Sequence, residues 1–489
     1  MVEVPDNTPV LVGVAAINEK QDDHTACSEP VALMEQALRA AASDAGSDAL
    51  LADADEIYVP KSLWGYSDPG RLLADAFGAY SARTLLAEFG IPQQSLISRA
   101  CDQIASGDAS VVLVTGGEAR YRELLAGKAG AAVEDTSQTD VEPDIMLTPE
   151  AELWSSVESD SGLGMPVGYY AILDSALRAK QGLSVDEHRD HMAQLYARMS
   201  RIAADNPDAW SGDAVEADFI RNPSPGNRML AFPYTKLHNS QWNVNQAAGL
   251  VFCSAAKARA LGVDASRWVF PCSAAESNFI SVVASRKDLG GCPAFRIAAD
   301  KAHTAAGISP DDVAYRELYS CFPYAVRVQM AEMGLSPDDA ISVTGGMTFA
   351  GGPLNHFVFQ SSVKMAQCLR ADPGKVGLVT TVSGMLTKQA CALWSTTPPS
   401  VPWSSTDVTR EVAAASPVCE LVAEYTGDAT VAGYTVLYQG DDPWRGVAVF
   451  DLPDDRRTVA YSEDPALIAR MLSEECCRAT FRVADGQFS

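Results

Sequence analysis

SLISRACDQIASGDASVVLVTGGEA, residues 95–119, and VKMAQCLRADPGKVGLVTTVSG, residues 363–384, share one texture. Each reads as an amphipathic helix, a turn containing glycine, and then a continuous apolar run, VVLVT in one and VGLVTTV in the other. A β-branched run without polar alternation fits a strand covered on both faces. A second pair of stretches repeats in the same order. PVALMEQALRAAASDAGSD (30–48) has apolar residues at helical spacing and leads into ADEIYV; PAFRIAADKAHTAAGISPDD (293–312) does the same and leads into VAYRELYSCF. The offsets are about 263 and 268 residues, so order and spacing hold in both halves. Two such βα halves predict a pseudo-symmetric α/β core with helices on both sides of each sheet.

The halves are taken as residues 1–120 and 246–404. Residues 121–245, which include the acidic stretch VDEHRDHMAQLYARMSRIAADNP, read as an inserted helical and loop region over the core. From 405 to 489 the texture changes. CELVAEYTGD, ATVAGYTVLYQGD, PWRGVAVFDLP and RRTVAYSED are short β segments broken by Gly, Asp and Pro, and the helical ALIARMLSEEC and a last strand follow. This predicts a separate small β-barrel domain, OB-like.

A chain of 489 residues exceeds one ordinary core. Its 47% apolar and 20% charged residues suit a globular enzyme. A net charge of −26 argues against nucleic acid and anionic membrane surfaces as partners. No apolar run reaches the ~18 residues of a membrane span. The N-terminus has Glu3 and no Lys or Arg before its short apolar run, so a secretory leader is not expected and the cytoplasm is. Eleven cysteines without a CxxC pair predict reduced thiols, the adjacent Cys476 and Cys477 being packing residues. His188 and His191 have helical i,i+3 spacing but no further ligands in view, so no metal is expected.

GGMTFAGGPLNHF (345–357) is glycine-rich and ends in a histidine, which suggests a ligand lying against main chain. No GK[ST] follows, so it is not a P-loop. This loop, PYTKLHNSQWNVNQAAGLVF (233–252) ahead of the second half, and VSGMLTK (382–388), set on a duplicated α/β core, resemble the thiolase superfamily. The nearest likeness is the thiolase-like acetyl-CoA acetyltransferase group with an additional C-terminal domain. The resemblance implies a five-layer αβαβα core and a CoA thioester as substrate or ligand, with no covalently bound cofactor. It also implies acyl-CoA as partner and a homodimer or a monomer, or a subunit beside an active enzyme.

That resemblance also implies four reacting positions: a cysteine at a helix tip, a GHP histidine, an NEAF or HDCF box, and a second cysteine. In this chain the first falls near Gly90 or Ile91, the second on Gly352, the third on Tyr319, Ser320 and Cys321, and the fourth near Val382. Three of the four are changed, so acyl-cysteine chemistry at the usual place is not expected. Cys101, inside the predicted helix, reads as core packing.

The remaining catalytic candidates are Tyr319 and Cys321, which share one side if the backbone there is extended, His356 and His238. Gly351, Gly352, Asn355, Gly90, Ser383 and Gly384 are the substrate-binding candidates, and Arg71 reads as a surface ion pair with a CoA phosphate as the alternative. The expected function is CoA-thioester processing by an acyltransferase-like enzyme. The alternatives are retro-aldol cleavage of a β-hydroxyacyl-CoA with Tyr319 moving the proton, and a non-catalytic binder of acyl-CoA or lipid.

Overall fold

The helix Pro30–Ala45 shows how each half is built. Proline stands in its first turn, where a missing N–H is harmless, and Gly46 at φ 78° lets its own N–H reach the carbonyls of Ala42 and Ser43. Val31, Met34, Leu38, Ala41 and Ala45 form one apolar stripe, which packs on Val10, Val12 and Val251 of a sheet. Gly13 and Gly249 lie where the helix crosses; a Cβ on either would sit 2.1 or 2.6 Å from a helix carbonyl oxygen.

The computed structural model describes residues 4–489, so Glu3 of the leader reading lies outside the described residues. The strands before the long insertion are β1 (Pro9–Asn18), β2 (Glu56–Pro60), β3 (Arg83–Ala87) and β4 (Val111–Ala119). Within it come β5 (Ile145–Leu147), β6 (Met229–Ala231) and β7 (Tyr234–Thr235), followed by β8 (Asn245–Ser254). The second half carries β9 (Phe270–Ser277), β10 (Val313–Glu317), β11 (Val376–Ser383), β12 (Lys388–Ser395) and β13 (Ser405–Asp407).

The first sheet has the order β1-β8-β4-β2-β3-β5 and the second β10-β11-β12-β9-β13. In the first, β8 runs antiparallel to β1 and β4, and β2 parallel to β4. In the second, β12 runs antiparallel to β9 and β11, and β10 parallel to β11. The series β1-β8-β4-β2 and β9-β12-β11-β10 therefore match strand for strand. The helices Gln93–Ser106 and Phe357–Ala371 lie between the sheets and touch both, while Pro30–Ala45 and Ala294–Ala306 cover the outer faces. That is the five-layer αβαβα core.

Two expected boundaries move. Ser405–Asp407, assigned from the sequence to the C-terminal domain, is β13 and pairs with β9 at the edge of the second sheet. Residues 246–254, assigned from the sequence to the second half, belong to β8 and fill the centre of the first sheet, because an antiparallel partner is needed between β1 and β4. The insertion also does more than cover the core. Its β5 pairs with the edge of β3, and Ala231 of β6 pairs with the C-terminal domain. Its helix Pro166–Gln181 is buried on most sides, with Tyr169, Tyr170, Ile172, Leu173 and Leu177 packed beside the buried polar Asp174 and Arg178.

The C-terminal strands are β14 (Gly427–Gln439), β15 (Asp442–Asp451), β16 (Arg457–Ser462), β17 (Thr480–Ala484) and β18 (Gln487–Phe488). They close in the ring β14-β15-β16-β18-β17-β14, because the long β14 pairs with both β15 and β17. The helix Pro465–Ser473 links β16 to β17, giving a small closed OB-like barrel with its own core around Val436, Ala448 and Phe450. Arg178 of the insertion, 1% exposed, ties to it by donating to the Tyr434 hydroxyl at 2.8 Å and pairing with Glu475 at 3.0 Å. Among the described residues no helix is long and apolar enough to cross a membrane.

Candidate functional site

Gln93 opens its helix with 2% of its surface exposed. Its Oε1 accepts the Val358 N–H at 2.7 Å, so the tips of the two inner helices are tied directly. No thiol stands at this tip. Cys101, about two turns further in, is fully buried, and burial pushes its thiol well above the ordinary range, with Asp102 adding to the shift.

Tyr319 and Cys321 are neighbours just beyond the end of β10, ahead of the helix Pro323–Glu332. The Tyr319 ring meets Phe357 edge-on at 6.1 Å, and its N–H donates to Thr380 Oγ1 at 2.8 Å. Burial raises the Tyr319 hydroxyl well above its usual value, Cys321 adding and Gln93 opposing. Burial likewise pushes the Cys321 thiol up to about 12, with the Tyr170 side chain working the other way. No cation is among the groups acting on the Cys321 thiol, and burial outweighs the backbone N–H groups that favour a thiolate there.

The two histidine candidates lie apart. His356 caps the helix Phe357–Ala371 and rests on Gly116 of β4, where a Cβ would fall 2.4 Å from its own. Burial holds its imidazole down at about 3, against the Gln246 backbone, and Nε2 has no partner. His238 receives the Thr235 N–H on Nδ1 at 3.2 Å, and its Nε2 also lacks a partner. Burial holds it at about 3 as well. Both rings are neutral and sealed from solvent.

His238 borders a cluster that the sequence did not announce. Asp174, fully buried, accepts the Tyr234 hydroxyl at 2.6 Å, pairs with Arg327, and lies 3.3 Å from His188 Nε2. Burial alone would raise this carboxyl, yet His188 and Arg327 hold it well below the usual carboxylate range. Burial lowers His188 to about 4, Arg327 reinforcing and Asp174 opposing. The cluster pins the insertion to the helix Pro323–Glu332. His191 is exposed while His188 points inward, so the pair does not meet. Among the described residues no group of His, Cys, Asp and Glu is arranged to hold a metal.

The glycine-rich loop presses on protein rather than on open space. A Cβ at Gly351, whose φ is 103°, would fall 2.1 Å from Gln246 Oε1, and one at Gly352 would meet Ser240 at 2.8 Å. Asn355 Nδ2 donates to the Lys61 carbonyl at 2.7 Å. Gly90 and Gly384, by contrast, come together across a gap between the halves. Leu153 of the insertion fills it, lying 3.1 Å from the Cβ position of each. Arg71 pairs with Asp144 at 3.1 Å.

A polar cavity of about 250 Å³ opens between the helix Gln93–Ser106 and the strands β9 and β13. Glu276 lines it and accepts Ser95 Oγ on both carboxylate oxygens at 3.0 Å. Burial raises the Glu276 carboxyl, and Asp407 adds to that. Neither Glu276 nor Lys388 on the next strand was singled out in the sequence, although Lys388 ends the VSGMLTK motif.

Comparison with known proteins follows the same lines. A family model described as the thiolase-like protein type 1 additional C-terminal domain matches residues 407–487, the barrel. An acetyl-CoA acetyltransferase from Methanocaldococcus jannaschii is 26% identical over 313 residues, 62% of this chain and 72% of that one. The crystal structure of a monomeric SCP2-thiolase-like protein type 1 from Mycobacterium smegmatis superposes with a TM-score of 0.84 and 28% identity, covering 99% of both chains. An Ltp2–ChsH2(DUF35) aldolase shares the fold, with a TM-score of 0.57 and 17% identity over 80% of this chain and 98% of that one.

Proposed function

The chain belongs to the thiolase superfamily, as a thiolase-like type 1 protein with the additional C-terminal domain, and we propose that it binds CoA thioesters without forming an acyl-cysteine. The observation that carries this reading is the helix tip. Just past the Gly90–Ile91 position expected for a nucleophilic thiol, Gln93 at the helix tip accepts the Val358 N–H, and Cys101 and Cys321 are buried with raised thiols. Each histidine candidate is at best a weak base, because burial holds its imidazole neutral far below the ordinary value. The acyl end of the ester would enter between Gly90 and Gly384, where Leu153 now packs.

We also propose that the chain is a monomer. β5 pairs with β3 and so occupies the β3 edge against strand addition by a second copy.

Equilibrium dialysis with acetyl-CoA, octanoyl-CoA and β-hydroxybutyryl-CoA tests the reading, with mass spectrometry of the CoA products. Saturable binding with no thiolytic or condensation product is expected. Turnover that carries an acyl-cysteine, or no binding of any ester, refutes it.

A further inference from the structure

Lys388 is the one lysine among the described residues that is buried, with 2% of its surface exposed. It opens β12 opposite Ser383. Glu276 of β9 pairs with Ala390, two residues along from Lys388, so strand alternation puts Lys388, Glu276 and Ser383 on one face. Ser95 holds Glu276 from the helix Gln93–Ser106, so this face looks onto the first turn of that helix. The other face carries Ser273, which donates to Ala302 of the outer helix at 2.7 Å. The Lys388 amine is thus directed at the same neighbourhood as the missing thiol.

Its charged neighbours are Glu276 and Glu150, with Asp407 beyond Glu276, and they act on it through space rather than by hydrogen bonds. Burial lowers its hold on the proton, the two glutamates opposing. Glu150 belongs to a strap, residues 148–154, strung between β5 and the helix Ser156–Asp160. The strap's far end is anchored by Glu158, which accepts the Ala284 N–H at 2.8 Å. Leu153 is the strap's one buried side chain, and it plugs the gap between Gly90 and Gly384.

We propose that Lys388 is an acyl acceptor for CoA thioesters, reached when Leu153 withdraws from the gap between Gly90 and Gly384; this rests on the CoA-thioester reading above. The neutral Nζ attacks the thioester carbonyl carbon and a C–N bond forms. The C–S bond breaks and its electron pair leaves with the CoA sulfur. The proton shed by the amine passes by way of Glu276 or Glu150 to that thiolate, giving CoA thiol and an amide on Lys388. No second nucleophile is at hand to cleave the amide, so the event is stoichiometric.

The test incubates the full chain with acetyl-CoA, follows intact mass and maps the acetylated peptide, with equilibrium dialysis of the ester in parallel. One acetyl group on Lys388 and one CoA released per chain are expected. In Leu153→Ala the rate should rise about tenfold, since the plug loses apolar contact. Lys388→Arg should abolish the label, and peptide mapping on the unaltered chain decides the matter if that variant does not fold. Acetylation confined to exposed lysines, in both the unaltered chain and Leu153→Ala, overturns the inference. If the ester nevertheless binds, only the Lys388 assignment fails; if it does not bind, the thioester reading fails with it.

Discussion

Replacing His356 with glutamine removes a titrating group from the seam between the two halves, and its effect should depend on pH in a calculable way. The imidazole lies against Gly116 with 1% of its surface exposed, and burial lowers it from 6.5 to about 3. A depressed histidine binds its proton first in the unfolded chain. Stability is therefore intact above about pH 6.5 and is lost progressively as pH falls towards 3. Between pH 7 and pH 5 one such group removes about 2 kcal/mol. Glu118 and Glu317, raised to about 7 by burial, shift stability the opposite way, but they do so equally in both proteins. The stability difference between the unaltered protein and His356→Gln should thus shrink by about 2 kcal/mol from pH 7 to pH 5. Urea unfolding of both proteins at the two pH values measures it. A difference that stays constant refutes the sealed, neutral imidazole.

Asp174→Asn strips the counter-charge from buried Arg327 and should cost about 3–5 kcal/mol, read as a lowered urea midpoint. A loss below about 1 kcal/mol, the scale of a surface pair, contradicts the cluster's role. Gly351→Ala, at φ 103° and 2.1 Å from Gln246 Oε1, should cost about 1–3 kcal/mol in the same assay. Iodoacetamide at neutral pH should leave Cys101 and Cys321 unlabelled until the protein is denatured, which peptide mapping checks. Sedimentation should give a single 52.0 kDa species, whereas a dimer would show that β5 does not close the β3 edge.

The duplication is legible in the sequence because each inner helix keeps an apolar stripe and leads into a strand that is buried almost throughout. The buried strands leave β-branched runs at 111–114 and 376–382 with no charged residue to interrupt them. The barrel is legible for a different reason: its strands are punctuated by Gly440, Asp441 and Pro453 at turns that need them.

What the insertion reaches across to touch is not legible. β5 is three residues long, and Leu153 sits in EAELWSS without any periodic signal, so its reach across to Gly90 and Gly384 depends on two distant anchors. β8 was misplaced because its apolar run does not say which sheet it joins. Of the site, Gly90 and Gly384 stand out in the sequence only as separate binding candidates, and their meeting on Leu153 is a tertiary property. Glu276 and Lys388 do not stand out, since only the register of β9 against β12 brings them onto one face. His356 stands out by its glycine-rich loop and His238 by its segment ahead of the second half, and the burial of both is a tertiary property.

The most direct measurement uses acetyl-CoA labelled in the acetyl carbonyl, followed by acid quench and hydroxylamine treatment of the protein. Hydroxylamine releases a thioester and spares an amide. The account predicts ester binding with no hydroxylamine-labile label on any cysteine, and whatever covalent label remains should be stable and lie on lysine. A stoichiometric labile label mapping to a cysteine would contradict it.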